Sequence, residues 1–322
     1  MPYLSFEFDK KLNPVPVAIV RGGRYNNKVL YLYKEGNKPK ERFIKDYEYE
    51  ELQEYIDIGK KTKRQKAQQF DELNKALKKN DNMTLIKKPE LKIIYEKVIE
   101  KENNNEIRLE EGSKFEVLPS IDEKQRDSVF IFGGSQSGKS YWTKLFIENF
   151  NRIHEGKRAV YLFSELESDE TLDELKYIQR VDIESLLTDP IDINKDTMFH
   201  NSLLIFDDYD KLDDSKNHNL FSATQSLIDK VLIFGRHFNI SICVLSHFGS
   251  NGNKSKTINM ECQKYVIFPY GSSQHNIEYL LHKHIGVQKK DIKNIRDLGS
   301  RWLCYSKIFP PYMIGENIAK IL

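Results

Sequence analysis

Eight residues near the middle of the chain have the spacing of a phosphate cradle. Gly133-Gly134-Ser135-Gln136-Ser137-Gly138-Lys139-Ser140 satisfies the pattern Gly, four of any residue, Gly, Lys, Ser or Thr. Its glycines let the backbone curl so that successive N–H groups face one anion. A helix that starts immediately afterwards adds its positive N-terminal end. In this arrangement Lys139 reaches the β- and γ-phosphates, the Ser140 hydroxyl ligates Mg²⁺, and Tyr141 closes the binding segment. ATP and Mg²⁺ are therefore the expected cofactors.

Binding alone needs no acids, whereas hydrolysis needs a carboxylate to hold the metal and a group to polarise water. Leu203-Leu204-Ile205-Phe206-Asp207-Asp208 offers both, two carboxylates emerging from a four-residue apolar strand. In open α/β sheets the carboxyl ends of the strands are where ligands bind. Asp207 is the expected metal-side acid and Asp208 the expected base or water-orienting group. Glu165 and Glu167, in FSELESD, are the alternative bases. Arg236, after Gly235, reads either as an arginine finger completing a neighbouring subunit's site or as a cap on helix carbonyls. His247 and Ser246, at the end of ISICVLSH, are both able to donate to a γ-phosphate or to water.

These side chains need strands that end together. SVFIF (128–132), AVYLF (159–163), LLIF (203–206), ISICVL (240–245) and YVIF (265–268) are short apolar runs separated by helical stretches. Runs of this kind predict a mainly parallel sheet covered by helices on both faces, hence an α/β fold. Residues 301–314 read as a closing hairpin. Upstream, Val15–Val20 and Val29–Tyr33 flank turn residues and predict another hairpin, and 47–79 reads as a lysine-rich helical stretch. With 100–111 as a polar linker, the expected division is a small α+β accessory domain over 1–112 and an ATPase domain over 113–322.

Composition narrows the classes. The chain has 322 residues, 39% of them hydrophobic, enough for one well-cored domain and a smaller one. Lys and Arg (50) nearly balance Asp and Glu (48), so nucleic-acid contact must come from local clusters. Three cysteines without CxxC spacing argue against a disulfide framework or a zinc site and fit a reducing compartment. No apolar run approaches about 18 residues, so no membrane insertion is expected, and the first residues lack a secretory pattern.

With these residues in place, the chain resembles the FtsK/HerA superfamily. Within it, the chain is most similar to the genome-packaging ATPases of large double-stranded DNA viruses, virophages and polinton-like viruses. The resemblance covers roughly 115–322 and rests on FGGSQSGKS, VYLFSELESDETL, LLIFDDYD, FGRHFNISICVLSH and LGSRWLCYSKIFPPYMI. Where this family usually carries Gln at the end of the fourth strand, this chain has His247. The resemblance implies strand order 5-1-4-3-2, a homo-oligomeric ring, often a hexamer, and ATP-driven translocation of double-stranded DNA into a capsid. It also implies capsid or portal partners, and a place in the host-cell cytoplasm, at the virus factory, or in the virion. Other work in the same superfamily (conjugation, segregation, phage morphogenesis) and a nucleotide-binding module without turnover are the alternatives. For sequence-blind phosphate contacts the candidates are Lys60–Lys66, the loop Asn251–Lys256 with Lys254 and Lys256, and Lys289–Lys293. Arg301 is expected either to reach an adjacent subunit's nucleotide or to form a structural salt bridge.

Overall fold

Short runs of β-branched and aromatic residues with no polar face build the middle of one large sheet. Along the chain the strands are β1 (Tyr3–Ser5), β2 (Val15–Arg21), β3 (Val29–Tyr33), β4 (Glu106–Arg108), β5 (Lys114–Val117), β6 (Ser128–Phe132) and β7 (Val160–Phe163). There follow β8 (Ile178–Val181), β9 (Leu203–Phe206), β10 (Ser241–Ser246), β11 (Lys264–Ile267), β12 (Leu303–Ser306), β13 (Tyr312–Gly315) and β14 (Ile318–Ile321). The α-helices are α1 (Lys63–Lys79), α2 (Lys139–Ile153), α3 (His218–Phe234), α4 (Lys256–Glu261) and α5 (Gln274–Tyr279). The computed structural model describes residues 2–35, 62–79, 85, 87–95, 106–122, 125–212, 218–250, 252–287, 292 and 295–322. Residues 47–61 of the lysine-rich stretch, 100–105 of the expected linker, and Asn251, Lys289, Lys290 and Lys293 lie outside them.

The ten-stranded sheet runs β4-β14-β13-β12-β11-β6-β10-β9-β7-β8. From β11 to β8 every neighbouring pair is parallel. The five strands expected from sequence lie in the order β11-β6-β10-β9-β7, which is the 5-1-4-3-2 arrangement. β8 extends the parallel edge, and β12, β13 and β14 extend the other edge antiparallel, so the closing hairpin over 301–314 is present with one strand more.

Because side chains alternate across a strand, β6 faces two cores. Phe130 and Phe132 join Leu227, Ile228 and Val231 of α3, with Ile258 of α4 and Ile277 of α5. Val129 and Ile131 join Trp142, Phe146 and Phe150 of α2 on the opposite face. That second core also takes in Val17, Ala18, Leu30, Leu32 and Phe115 of the four-stranded sheet β1-β3-β2-β5.

By its internal packing the chain groups differently from a simple cut at residue 112. The chain divides into Leu4–Tyr33 with Ile107–Leu322 as one unit, and Met1–Tyr3 with Lys34–Glu106 as the other. The predicted hairpin β2–β3 goes with the larger unit because β2 pairs antiparallel with β5, Ala18 opposite Val117 and Val20 opposite Phe115. In the smaller unit, Leu73, Ala76 and Leu77 of α1 pack with Leu91, Ile94 and Tyr95. Among the described residues no helix is long and apolar enough to cross a membrane.

Candidate active site

Phe132, the last residue of β6, hands the chain directly to the glycine loop, and α2 starts at Lys139. Gly138 precedes the helix at φ 105, a left-handed conformation that glycine adopts without strain. Gly134 is demanded by packing: its N–H donates to the Gly271 carbonyl at 2.9 Å. A methyl group at Gly134 would come within 2.8 Å of that same oxygen. The N–H groups of Gly138, Lys139 and Ser140 meet no backbone carbonyl among the described residues. They form the free donor set that an anion requires. Lys139 is buried, its ammonium folded back onto the carbonyls of Gly133 at 2.8 Å and Gly134 at 3.4 Å. Burial lowers its pKa, against the raising charges of Asp208, Asp207 and Asp210. The first helical turn is split: Tyr141 is exposed, while Trp142 is buried and stacks on Phe146 at 5.4 Å.

The acids arrive from β9 at the same edge. Asp207 continues the strand, its N–H donating to the Phe163 carbonyl at 2.9 Å. Its carboxylate is buried and accepts from the Ser164 hydroxyl at 3.3 Å. Burial first, then the charges of Asp208 and Asp169, push that carboxyl up to about 6. Such a group gains greatly from a cation. Among the described residues no group of three or more His, Cys, Asp and Glu side chains converges as a metal site. Mg²⁺ in nucleotide sites needs no such group, since one or two protein oxygens and the phosphates suffice, so Asp207 with Ser140 fits it.

Asp208 turns the chain at φ 46 and gathers two lysines and a histidine around its carboxylate. Its Oδ1 lies 3.1 Å from His247 Nε2 and 3.8 Å from Lys139 Nζ. Lys211 donates to its Oδ2. Burial alone would raise its pKa; the Lys211 bond and the charges of Lys139 and His247 outweigh this and hold it below the usual carboxylate range. The structure thus brings Lys139, Asp207, Asp208 and His247 together. Two participants carry no motif of their own. One is Lys211. The other is Asp210, whose Oδ2 accepts from the Ser246 hydroxyl at 2.9 Å and from the N–H groups of His247 at 2.8 Å and Phe248 at 3.3 Å. Ser246 is buried in these bonds, which leaves His247 as the side chain of that pair facing Asp208. The i to i+3 step from Asp208 to Lys211 was the available signal for the lysine. A capping acid close after a strand was the signal for Asp210.

Arg236 is exposed, in the turn Gly235–Phe238 that leads into β10, at the edge of the sheet opposite the glycine loop. Helix α3's last carbonyls are taken by another residue: Arg126 donates to Val231 O at 2.5 Å and also to Leu232 O. Glu165 and Glu167 are exposed in the segment after β7. Lys254 lies 5.1 Å over the Phe221 ring, and Lys256 is exposed at the start of α4. Lys63 and Arg64 are exposed on α1.

The strand order, the glycine loop on the central strand and the acids on the next strand but one define a P-loop NTPase fold. No protein-family model matches the chain. It belongs to the family of protein V3 of the Sputnik virophage, an uncharacterised protein 34% identical over 220 residues, which are 68% of this chain and 85% of the relative. Among solved structures, the genome-packaging NTPase B204 of Sulfolobus turreted icosahedral virus 2, in complex with sulfate, covers 61% of this chain and 97% of its own, at TM-score 0.40 and 16% identity. The pCW3 conjugation coupling protein TcpA with ATPγS covers 94% of this chain and 77% of its own, at TM-score 0.46 and 10% identity. The cytoplasmic domain of the Thermomonospora curvata type VII secretion ATPase EccC covers 67% and 29%, at TM-score 0.43 and 12% identity.

Proposed function

We propose that this chain is an ATP-hydrolysing motor that moves double-stranded DNA into a viral capsid. The observation that carries hydrolysis is the convergence of Lys139, Asp207, Asp208 and His247 at the mouth of the glycine loop. In this reading Lys139 exchanges the carbonyls of Gly133 and Gly134 for phosphate oxygens, while the backbone from Gly133 to Tyr141 wraps the phosphates. Ser140 and Asp207 hold the cation. Bound Mg²⁺ supplies positive charge to the phosphates where charge develops. Asp208, held ionised by Lys211 and His247, orients the attacking water; its low proton affinity suits it poorly to removing a proton. His247 donates to the γ-phosphate or the water from a backbone fixed by Asp210.

Arg236 lies too far across the sheet to serve its own loop, and its exposure supports a role in a neighbour's site within a homo-oligomeric ring, proposed as a hexamer and counted by native mass. Lys254 and Lys256, in the segment leaving β10, are the proposed DNA-phosphate contacts. The packaging role, with capsid or portal partners at the virus factory or in the virion, is supported by the motif set from FGGSQSGKS to FGRHFNISICVLSH and by membership in a virophage family.

The test is steady-state ATP turnover by the purified chain with and without linear double-stranded DNA. DNA should accelerate turnover, and Lys139→Ala should abolish it. Absence of turnover under both conditions, with Lys139→Ala altering only nucleotide affinity, sinks the motor. Rings mixed from Arg236→Ala and Lys139→Ala subunits should regain partial activity; no recovery at any ratio removes Arg236 from the neighbour's site.

A further inference from the structure

One basic side chain on the other flank of the glycine loop has no part in that mechanism. The segment after β11 is fastened to the loop through the Gly134–Gly271 bond at 2.9 Å. A methyl group at Gly271 would come within 2.8 Å of Ser137 Cβ, and Phe268 lies 3.5 Å from where a Gly138 side chain would begin. The other atom at that Gly138 position is Arg301 Nη2, at 3.9 Å. Arg301 stands at the entry to β12, and its backbone is anchored. Its N–H donates to Glu316 Oε2 at 3.2 Å. The next residue, Trp302, meets Trp142 of α2 edge-on at 6.1 Å. The guanidinium is therefore carried by the same packed group that carries the loop.

The residue is exposed, and among the described residues no carboxylate pairs with its side chain. A guanidinium beside the positive end of a helix is repelled by it, unless an anion comes between them. Arginine suits that place because its planar fork donates two parallel bonds to phosphate oxygens.

We propose that Arg301 is a nucleotide ligand of its own subunit, donating to the α- and β-phosphates held at Gly138 to Ser140. This deepens the nucleotide reading above and rests on it. The position beside Gly138, away from Asp208 and His247, distinguishes it from a γ-phosphate finger. Its contribution is the same before and after hydrolysis. It therefore strengthens binding of ATP and ADP alike and leaves the chemical step nearly unchanged.

The experiment is calorimetric titration of the full chain with ADP and with a non-hydrolysable ATP analogue, comparing wild type, Arg301→Ala, Arg301→Lys and Lys139→Ala. Loss of charge-assisted bonds to phosphate should weaken both nucleotides roughly ten- to hundredfold in Arg301→Ala. Arg301→Lys should recover part of this, with kcat at saturating ATP within about threefold of wild type. Rings mixed from Arg301→Ala and Lys139→Ala subunits should gain nothing, since both lesions fall on the subunit that binds. Unchanged affinity in Arg301→Ala beside weakened binding in Lys139→Ala overturns the proposal alone. Unchanged affinity in both overturns the nucleotide reading beneath it. A lowered kcat with unchanged ADP affinity, or recovery in mixed rings, assigns Arg301 to a neighbour's γ-phosphate instead.

Discussion

Replacing Asp207 by asparagine should make the nucleotide-free protein more stable while removing its chemistry. The side chain is 6% exposed. Burial, with the charges of Asp208 and Asp169, raises its carboxyl to about 6, whereas an aspartate in an unfolded chain titrates near about 4. The folded state therefore holds the proton more tightly than the unfolded state. Stability attributable to this group falls as pH rises from about 4 to about 6 and is flat above. At about 1.4 kcal/mol per tenfold change in proton affinity, the full penalty is about 3 kcal/mol. Asparagine keeps the size of the group and its contact with the Ser164 hydroxyl, 3.3 Å in the native protein, and carries no charge to bury. Urea denaturation without Mg²⁺ or nucleotide should show Asp207→Asn more stable by about 1.5 kcal/mol at pH 5 and by about 3 kcal/mol at pH 7 and above. Turnover of Mg²⁺-ATP by the same variant should be lost. A variant no more stable than wild type at pH 7, or one with equal gains at pH 5 and pH 7, refutes the claim that this carboxylate is held at a desolvation cost for a cation to relieve.

Other perturbations read other parts of the structure. Gly134→Ala places a methyl 2.8 Å from the Gly271 carbonyl oxygen, which should cost about 1–3 kcal/mol in thermal or denaturant unfolding and weaken ADP binding. His247→Ala should lower kcat roughly a hundredfold or more with ADP affinity unchanged, and His247→Gln, restoring the residue usual in the resembling family, should retain most turnover. Lys264 and Asp127 form a buried ion pair at 2.5 Å, in which the Asp127 charge overcomes burial to raise the lysine's pKa. Lys264→Met alone should destabilise by about 3–5 kcal/mol, and adding Asp127→Leu should restore much of that in a double-mutant cycle.

The five central strands of the parallel core were legible because each carries a continuous apolar run, and such runs are buried on both faces wherever they fall. The pairing of the early hairpin with a distant strand was not. The hairpin Val15–Tyr33 is local and readable, but its partner Lys114–Val117 lies about a hundred positions away, and no local pattern announces pairing at that range. The strand Ile178–Val181 escaped for a different reason: it is an edge strand with Gln179 and Arg180 exposed, so it lacks the apolar run that betrayed the others.

The candidate site divides along the same physical line. Backbone-shaped chemistry, in which glycine spacing and a lysine suffice, is written contiguously from Gly133 to Ser140. Side-chain wiring between strands is not. Asp207-Asp208-Tyr209-Asp210 reads as two working acids and a polar turn, yet the last aspartate reaches across to β10 and gathers three donors from Ser246 to Phe248. Asp210 thereby joins the turn that carries Asp208 to the segment that carries His247 and runs on toward Lys254. Asp210→Ala should free His247 from its 3.1 Å approach to Asp208, lowering kcat while sparing ADP affinity. If the residue serves packing only, ADP affinity and kcat should both survive in whatever fraction of the variant remains folded. If it also links hydrolysis to the segment proposed to contact DNA, the acceleration of turnover by DNA should fall further than basal turnover does.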